Sequence, residues 1–239
     1  MKIETWGNAL PSCYANKNQA MCENLDKNKL ILLIGDSHAS QLYFGLNRYK
    51  KNDQKIILIS SELMNEKNRI DQVNYLKKIT GNQINIESVI ISFAQHHLIG
   101  RSKTAKKTQL YIEDTIKILV ADLKKNKITN IILMNDTPRL AINLPMSICK
   151  KQYDNLTKTS CDISSSDSRA LRKKYGDLIN TMGNNLHLKI FDPFKIICPG
   201  PICSPFSENN ILYIDQNHVS IYGSELIGKE LINYANNKQ

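Results

Sequence analysis

The sequence predicts an α/β fold, a three-layer α/β/α sandwich built on a five-stranded parallel sheet. Short apolar runs alternate with amphipathic stretches along the chain, which is the pattern of repeated strand–helix units. The first run, Leu30–Ile34, is aliphatic throughout, as expected of a strand buried on both faces. With 239 residues and 41% hydrophobic composition the chain can bury one substantial core. We therefore expect a single domain.

The predicted elements follow one another in a regular order. Apolar runs predict strands at Leu30–Ile34, Lys55–Ile59, Ser88–Phe93, Asn130–Met134 and Leu188–Asp192. Helical periodicity predicts helices at His38–Tyr49, Ile70–Thr80, Lys106–Lys125, Ser168–Leu186 and Ile221–Ala235.

Two segments without periodicity follow predicted strands. Residues 138–167 contain prolines, two cysteines and a run of serines, and loops of this length are usually functional lids or disordered segments. We predict a lid-like loop at 138–167, which a disulfide between Cys149 and Cys161 would order. Residues 193–213 hold four prolines and two further cysteines, and they lead the chain to Asp215.

Six cysteines fall into three near pairs in predicted loops, and these are Cys13 with Cys22, Cys149 with Cys161, and Cys198 with Cys203. The sequence leaves their connectivity open, although short loop closure favours local disulfides. Free thiols and a zinc site are the alternatives, and the lack of any CxxC motif weakens zinc. Disulfides would place the chain in an oxidising compartment. No signal peptide or membrane-spanning stretch is visible, so we expect the export signal to lie outside these residues.

The net charge of +10 has two interpretations. It can belong to a solvated surface, or it can attract the chain to anionic surfaces such as phosphorylated glycans or lipid headgroups. Basic runs such as Lys103–Lys107 are not interleaved with aromatic residues, which make up only 7% of the chain. This composition argues against a nucleic-acid partner.

Two motifs at predicted strand–helix junctions carry reactive side chains. The segment Gly35–His38 follows the first strand, and Asp215–His218 precedes the last helix. A serine hydroxyl becomes a nucleophile when a histidine takes its proton and a carboxylate orients that histidine. We therefore predict Ser37 as nucleophile, His218 as base and Asp215 as its orienting carboxylate. In the alternative interpretation Ser37 caps a helix and His218 lies in a solvated loop.

Together these motifs resemble a known family. Gly35-Asp36-Ser37-His38 followed by Asp215-x-x-His218-Val219-Ser220-x-x-Gly223 is similar to the SGNH/GDSL hydrolase superfamily. It most resembles the SGNH domain of acyltransferase-3 (AT3-SGNH) proteins, which are bacterial surface-glycan O-acetyltransferases. The resemblance spans most of the chain, including the cysteine pairs before the first strand, after the fourth strand and ahead of the last motif. It implies the flavodoxin-like SGNH hydrolase fold, with residues 30–239 as the catalytic domain and residues 1–29 as a cysteine-containing leader packed on it.

The resemblance also implies a function. An acetyl group would form an acyl-enzyme on Ser37 and pass to a hydroxyl of a surface polysaccharide, such as lipopolysaccharide O-antigen. No metal or soluble cofactor is implied, because an N-terminal AT3 membrane domain would deliver the acetyl group. The chain would then be the periplasmic, soluble domain of an inner-membrane protein. A carbohydrate esterase or deacetylase with the same triad is the alternative, and a catalytically silent glycan-binding module is a third.

The oxyanion-binding residues of the superfamily have no visible counterpart. The superfamily often carries a Gly in its second block and Gly-x-Asn-Asp in its third, whereas here the strands continue as Ser60–Glu62 and Ala94–His97. The backbone N–H of Ser37 is one candidate oxyanion donor, and the side-chain amide of Gln95 is the other. His96 and His97 either line the acceptor cleft or merely end the strand. An unusual oxyanion hole would slow hydrolysis, which suits a transferase.

Overall fold

The computed structural model describes residues 15–16, 19–20, 29–60, 85–94, 105–140, 149, 161–207 and 210–237. Five parallel strands in these ranges form one sheet in the order β2-β1-β3-β4-β5. They are β1 (Lys29–Gly35), β2 (Gln54–Ser60), β3 (Ile86–Ser92), β4 (Ile131–Met134) and β5 (Lys189–Phe191). The predicted five-stranded parallel α/β fold is confirmed. Strand order reverses around β1, and such a switch point opens a crevice at the carboxyl edge of a sheet.

Helices cover both faces of this sheet. They are α1 (Ser37–Ser40), α2 (Tyr43–Tyr49), α3 (Ala105–Lys125), α4 (Ser165–Leu186), α5 (Phe194–Ile197) and α6 (Ile221–Asn236). Side chains of β1 alternate between two apolar clusters: Ile31 and Leu33 pack with α2 and α6, whereas Leu30, Leu32 and Ile34 pack with α3 and α4. None of the helices in the described ranges is long and apolar enough to cross a membrane.

Two predicted helices differ from the observed ones by more than a terminal residue. The helix expected over 38–49 is two helices, because the N–H of Leu42 donates to the carbonyl of Ala39, three residues back, at 3.0 Å and tightens the turn between α1 and α2. Helix α4 begins at Ser165, inside the segment expected as a loop, because the Oγ of Ser164 caps it by accepting from the N–H of Asp167 at 3.0 Å. The helix predicted over 70–80 lies outside the described residues.

Disulfides join the segments beside the sheet. Cys149 is bonded to Cys161, and Cys198 to Cys203. These two pairings are among the three local pairs considered from the sequence, whereas Cys13 and Cys22 lie outside the described residues. Residue Ile163 pairs with Cys203 in a short antiparallel ladder, so the two disulfides stand close together.

Helices α2 and α6 touch backbone to backbone. A Cβ atom added to Gly45 would lie 1.8 Å from the carbonyl oxygen of Ser224, and one added to Gly228 would lie 2.2 Å from the carbonyl carbon of Gly45. The Oγ of Ser224 also accepts a hydrogen bond from the N–H of Gly45 at 2.9 Å. Only glycine permits this approach. The contact locks the helix that follows the Ser37 motif against the helix that follows the His218 motif.

Candidate active site

The turn after β1 presents Ser37 at the carboxyl edge of the sheet. Gly35 has φ +155°, and a Cβ atom there would lie 1.7 Å from the carbonyl oxygen of Ser92, so the turn requires glycine. Next, the carboxylate of Asp36 accepts from the N–H of His38 at 2.8 Å and from the N–H of Ala94 at 2.9 Å. These bonds tie the turn to the end of β3 and make Ser37 the first residue of α1.

The second motif forms the tip of a narrow hairpin. Tyr213 and Val219 pair as an antiparallel bridge, and the N–H of Ile214 donates to the carbonyl of His218 at 2.9 Å. At the tip, one carboxylate oxygen of Asp215 accepts from the N–H groups of Asn217 and His218 at 2.9 and 2.8 Å. This turn brings the other oxygen of Asp215 onto the imidazole of His218.

The three predicted site residues meet in space. The Oγ of Ser37 lies 2.9 Å from Nε2 of His218, and Nδ1 of the same ring lies 2.7 Å from Oδ2 of Asp215. These distances allow a proton to pass from hydroxyl to imidazole while the carboxylate fixes the ring.

Electrostatics keep the orienting carboxylate ionised. Partial burial raises the pKa of Asp215, but hydrogen bonds from the His218 ring and from the backbone N–H groups of Asn217 and His218 outweigh it and lower that pKa to about 2. The carboxylate is therefore charged at neutral pH. Its negative charge favours a proton on Nδ1, the ring nitrogen of His218 that faces Asp215, which leaves Nε2 to accept the proton of the Ser37 hydroxyl.

The second predicted oxyanion donor, Gln95, lies outside the described residues, as do His96 and His97. Its role stays a prediction. The other candidate donor, the N–H of Ser37, belongs to the first residue of α1. Among the residues that the structure does describe, no group of three or more His, Cys, Asp or Glu side chains is placed to hold a metal ion.

A buried imidazole–carboxylate pair lies beside these residues, and the sequence analysis missed it. Nδ1 of His38 lies 2.6 Å from Oδ1 of Asp136, and both side chains are almost fully buried. Burial lowers the pKa of His38, but the charge and hydrogen bond of Asp136, with the charges of Asp36 and Asp215, outweigh it and raise that pKa above its ordinary value. The ring of His38 also lies 4.8 Å from the ring of His218, centroid to centroid.

Further bonds connect the residues of this pair to the hairpin tip and to α4. Nε2 of His38 lies 3.1 Å from the side-chain amide nitrogen of Asn217, at the tip of the hairpin. On the other side, the carbonyl of Asp136 accepts from the guanidinium of Arg172 at 2.5 Å, and the same guanidinium binds both carboxylate oxygens of Asp192 at 2.6 and 2.5 Å. The position of Asp136 at the end of β4 was the available signal, since carboxyl ends of parallel strands share one edge.

Comparison with known proteins identifies the family. Residues 9–233 match the family model of the SGNH domain that is fused to AT3 domains. No curated protein matches the sequence.

Solved structures share the fold. The periplasmic domain of a lipopolysaccharide acetyltransferase from Salmonella ser. Paratyphi A superposes with a TM-score of 0.68 at 17% identity, covering 93% of this chain and 90% of that one. An acetyl-xylooligosaccharide esterase from Geobacillus gives a TM-score of 0.51 at 13% identity, covering 90% of this chain and 98% of the other. An acetyl xylan esterase gives 0.50 at 12% identity, with 86% and 98% covered. At these identities the likeness shows a common fold. Since the family model spans nearly the whole sequence, this chain belongs to the SGNH domains fused to AT3 domains.

Proposed function

We propose that this chain is a serine-dependent O-acetyltransferase that acetylates a hydroxyl of a bacterial surface polysaccharide. The observation that carries the proposal is the 2.9 Å contact between the Ser37 hydroxyl and Nε2 of His218. A carboxylate oxygen of Asp215 lies 2.7 Å from Nδ1 of the same ring. Membership of a family whose SGNH domain is fused to AT3 domains supports transfer to an acceptor over simple hydrolysis. It also supports an extracytoplasmic location beside a membrane domain that supplies the acetyl group.

The reaction proceeds in two balanced halves. Ser37 Oγ attacks the acetyl carbonyl carbon while its proton passes to Nε2 of His218, and the donor group leaves with that proton. A sugar hydroxyl then gives its proton to the same nitrogen and attacks the acetyl-serine, which restores the serine hydroxyl. Asp215 holds the ring in the correct tautomer and offsets the charge of the imidazolium. The N–H of Ser37 donates to the oxyanion in each tetrahedral intermediate.

An esterase differs only in the second half. Water replaces the sugar hydroxyl, and the same three side chains serve both reactions. The acceptor therefore decides the outcome, and a test of the proposal has to offer both acceptors together.

The test begins with a chromogenic acetyl ester. We expect wild-type protein to release the chromophore, and we expect the rate of Ser37→Ala to be at least 10³-fold lower. Thr181→Ala, an exposed hydroxyl near the end of α4 that bonds only within its helix, serves as the matched control and should stay within twofold of wild type. Equal rates for wild type and Ser37→Ala would refute the proposal.

A second measurement separates the two acceptors. Mass spectrometry of a surface polysaccharide incubated with acetyl donor and enzyme should show added acetyl groups with wild type and none with Ser37→Ala. Chromophore release without any acetylated polysaccharide, over a panel of glycans, would instead identify an esterase.

A further inference from the structure

The buried pair of His38 and Asp136 lies directly under the proposed triad yet takes no part in the reaction just described. The two side chains are 0% and 2% exposed, and 2.6 Å separates Nδ1 of the ring from Oδ1 of the carboxylate. Taking such groups out of water is costly unless each finds a partner, and apolar side chains of similar volume often stabilise a core as well. Stability alone therefore gives a weak reason for this pair.

Two routes of hydrogen bonds run from the pair to Asn217 at the hairpin tip, one through Thr137 and one through the ring of His38. Oδ1 of Asp136 accepts from the N–H of Thr137 at 2.8 Å, and the Thr137 hydroxyl donates to the carbonyl of Asn217 at 3.2 Å. The amide nitrogen of Asn217 donates to Nε2 of His38 across 3.1 Å, so the ring proton lies on Nδ1 and is donated to Asp136. Side chain and backbone of Asn217 are thus both held by groups attached to the same buried carboxylate.

Asn217 is central to the geometry of the hairpin tip. Its own N–H donates to Asp215, and it directly precedes His218 in the chain. His38, in turn, directly follows Ser37. One imidazole therefore links the turn that carries the nucleophile to the loop that carries the base.

We propose that His38 and Asp136 form a positioning pair that sets the separation of the Ser37 hydroxyl from the His218 ring by holding Asn217. This inference rests on the proposed function. Packing alone holds the two triad side chains of this loop only in part, since Asp215 is 48% exposed and His218 is 19% exposed. A misplacement of about 1 Å in a reacting group can cost on the order of 100-fold in rate.

Two substitutions remove the link from opposite ends. His38→Asn keeps an amide near the Nδ1 position for Asp136 but has no atom at the Nε2 position. Asn217→Ala leaves His38 and Asp136 intact and removes the side-chain amide that contacts Nε2 of His38. We expect each to lower kcat for the chromogenic ester about 10- to 100-fold with KM changed less than threefold. The double variant should be no slower than the slower single variant, because both changes cut one connection.

Controls separate this role from a general loss of structure. His187→Asn replaces an exposed histidine in the left-handed region at φ 50°, which Asn adopts readily, and it should stay within twofold of wild type. Thermal unfolding of every variant should stay cooperative, and kcat is taken per folded molecule. If His38→Asn does not fold, Asn217→Ala alone decides the question.

Three outcomes overturn the inference: full activity in Asn217→Ala, effects that multiply in the double variant, or a loss confined to KM. Failure of the underlying function is distinguishable, because there Ser37→Ala itself would keep the wild-type rate. An inactive Ser37→Ala protein together with a fully active Asn217→Ala protein would refute the positioning role of the pair and would still support the proposed acyl chemistry of Ser37.

Discussion

Replacing Asp215 by asparagine tests the proposed triad with the smallest change in shape. One oxygen of the carboxylate already accepts from two backbone N–H groups, at 2.9 and 2.8 Å. In Asp215→Asn the amide oxygen has to keep that place, because an NH₂ group there would face two donors. The amide nitrogen then faces Nδ1 of His218, where the carboxylate oxygen stood at 2.7 Å. Nδ1 becomes an acceptor, and the ring proton moves to Nε2.

The magnitude follows from these contacts. A ring protonated on Nε2 cannot take the proton of Ser37. Restoring the productive tautomer requires turning the amide over and losing two hydrogen bonds, each of which costs about 1–3 kcal/mol. Loss of the charge that faced the imidazolium adds to this penalty. We therefore expect kcat to fall about 10³- to 10⁴-fold, as in other triads whose aspartate is replaced by asparagine.

Initial rates of acetyl-ester hydrolysis near neutral pH provide the assay. The matched control is Asp167→Asn, an exposed aspartate in the first turn of α4 whose carboxylate accepts from Ser164 at 2.6 Å, and it should stay within twofold of wild type. If Asp215→Asn retains more than a tenth of the wild-type kcat, the Asp215 carboxylate does not orient the base.

Three stability measurements test the surrounding structure. Gly35→Ala should lower the free energy of unfolding by about 3 kcal/mol or more, since its Cβ would lie 1.7 Å from a carbonyl oxygen; a urea titration showing less than about 1 kcal/mol would contradict this. The Asp215 carboxylate, with its pKa of about 2 against an ordinary 3.8, stabilises the fold above pH 4 and loses this effect as the pH falls toward 2. Its 48% exposure limits the contribution to about 1 kcal/mol, so acid titrations of wild type and Asp215→Asn should converge by that amount. Replacing both Cys149 and Cys161, which are 12 residues apart, by serine should cost about 2–3 kcal/mol, or roughly 5–10 °C in Tm by calorimetry, and an unchanged Tm would refute it.

The sheet was predictable from the sequence because its strands have distinctive apolar patterns. Leu30–Ile34 is aliphatic at every position since both faces of β1 are covered, and the observed strand extends it by one residue at each end. The break between α1 and α2 was not predictable, because periodicity continues across it and only the local hydrogen bond of Leu42 interrupts the helix.

The site residues also include some that the sequence predicted and some that it did not. Ser37 and His218 stood out because each follows or precedes a recognisable element at the same edge of the sheet. The contact between His38 and Asp136 did not stand out. The two residues follow β1 and β4, which are separated by β3, and the sequence alone does not show that their side chains meet across that strand. Asn217 was hidden for a different reason, since an asparagine between Asp215 and His218 is also an ordinary turn residue.

The backbone contact between Gly45 and Gly228 has a consequence for how the protein matures. Ser37 and His218 are 181 residues apart, and the helix carrying Gly228 is synthesised last among the described elements. In a nascent chain the Ser37 hydroxyl therefore lacks its contact with the His218 ring until the last part of the described fold has formed. The acyl chemistry that we propose requires the final helix in place, so turnover of an acetyl ester would report completed folding.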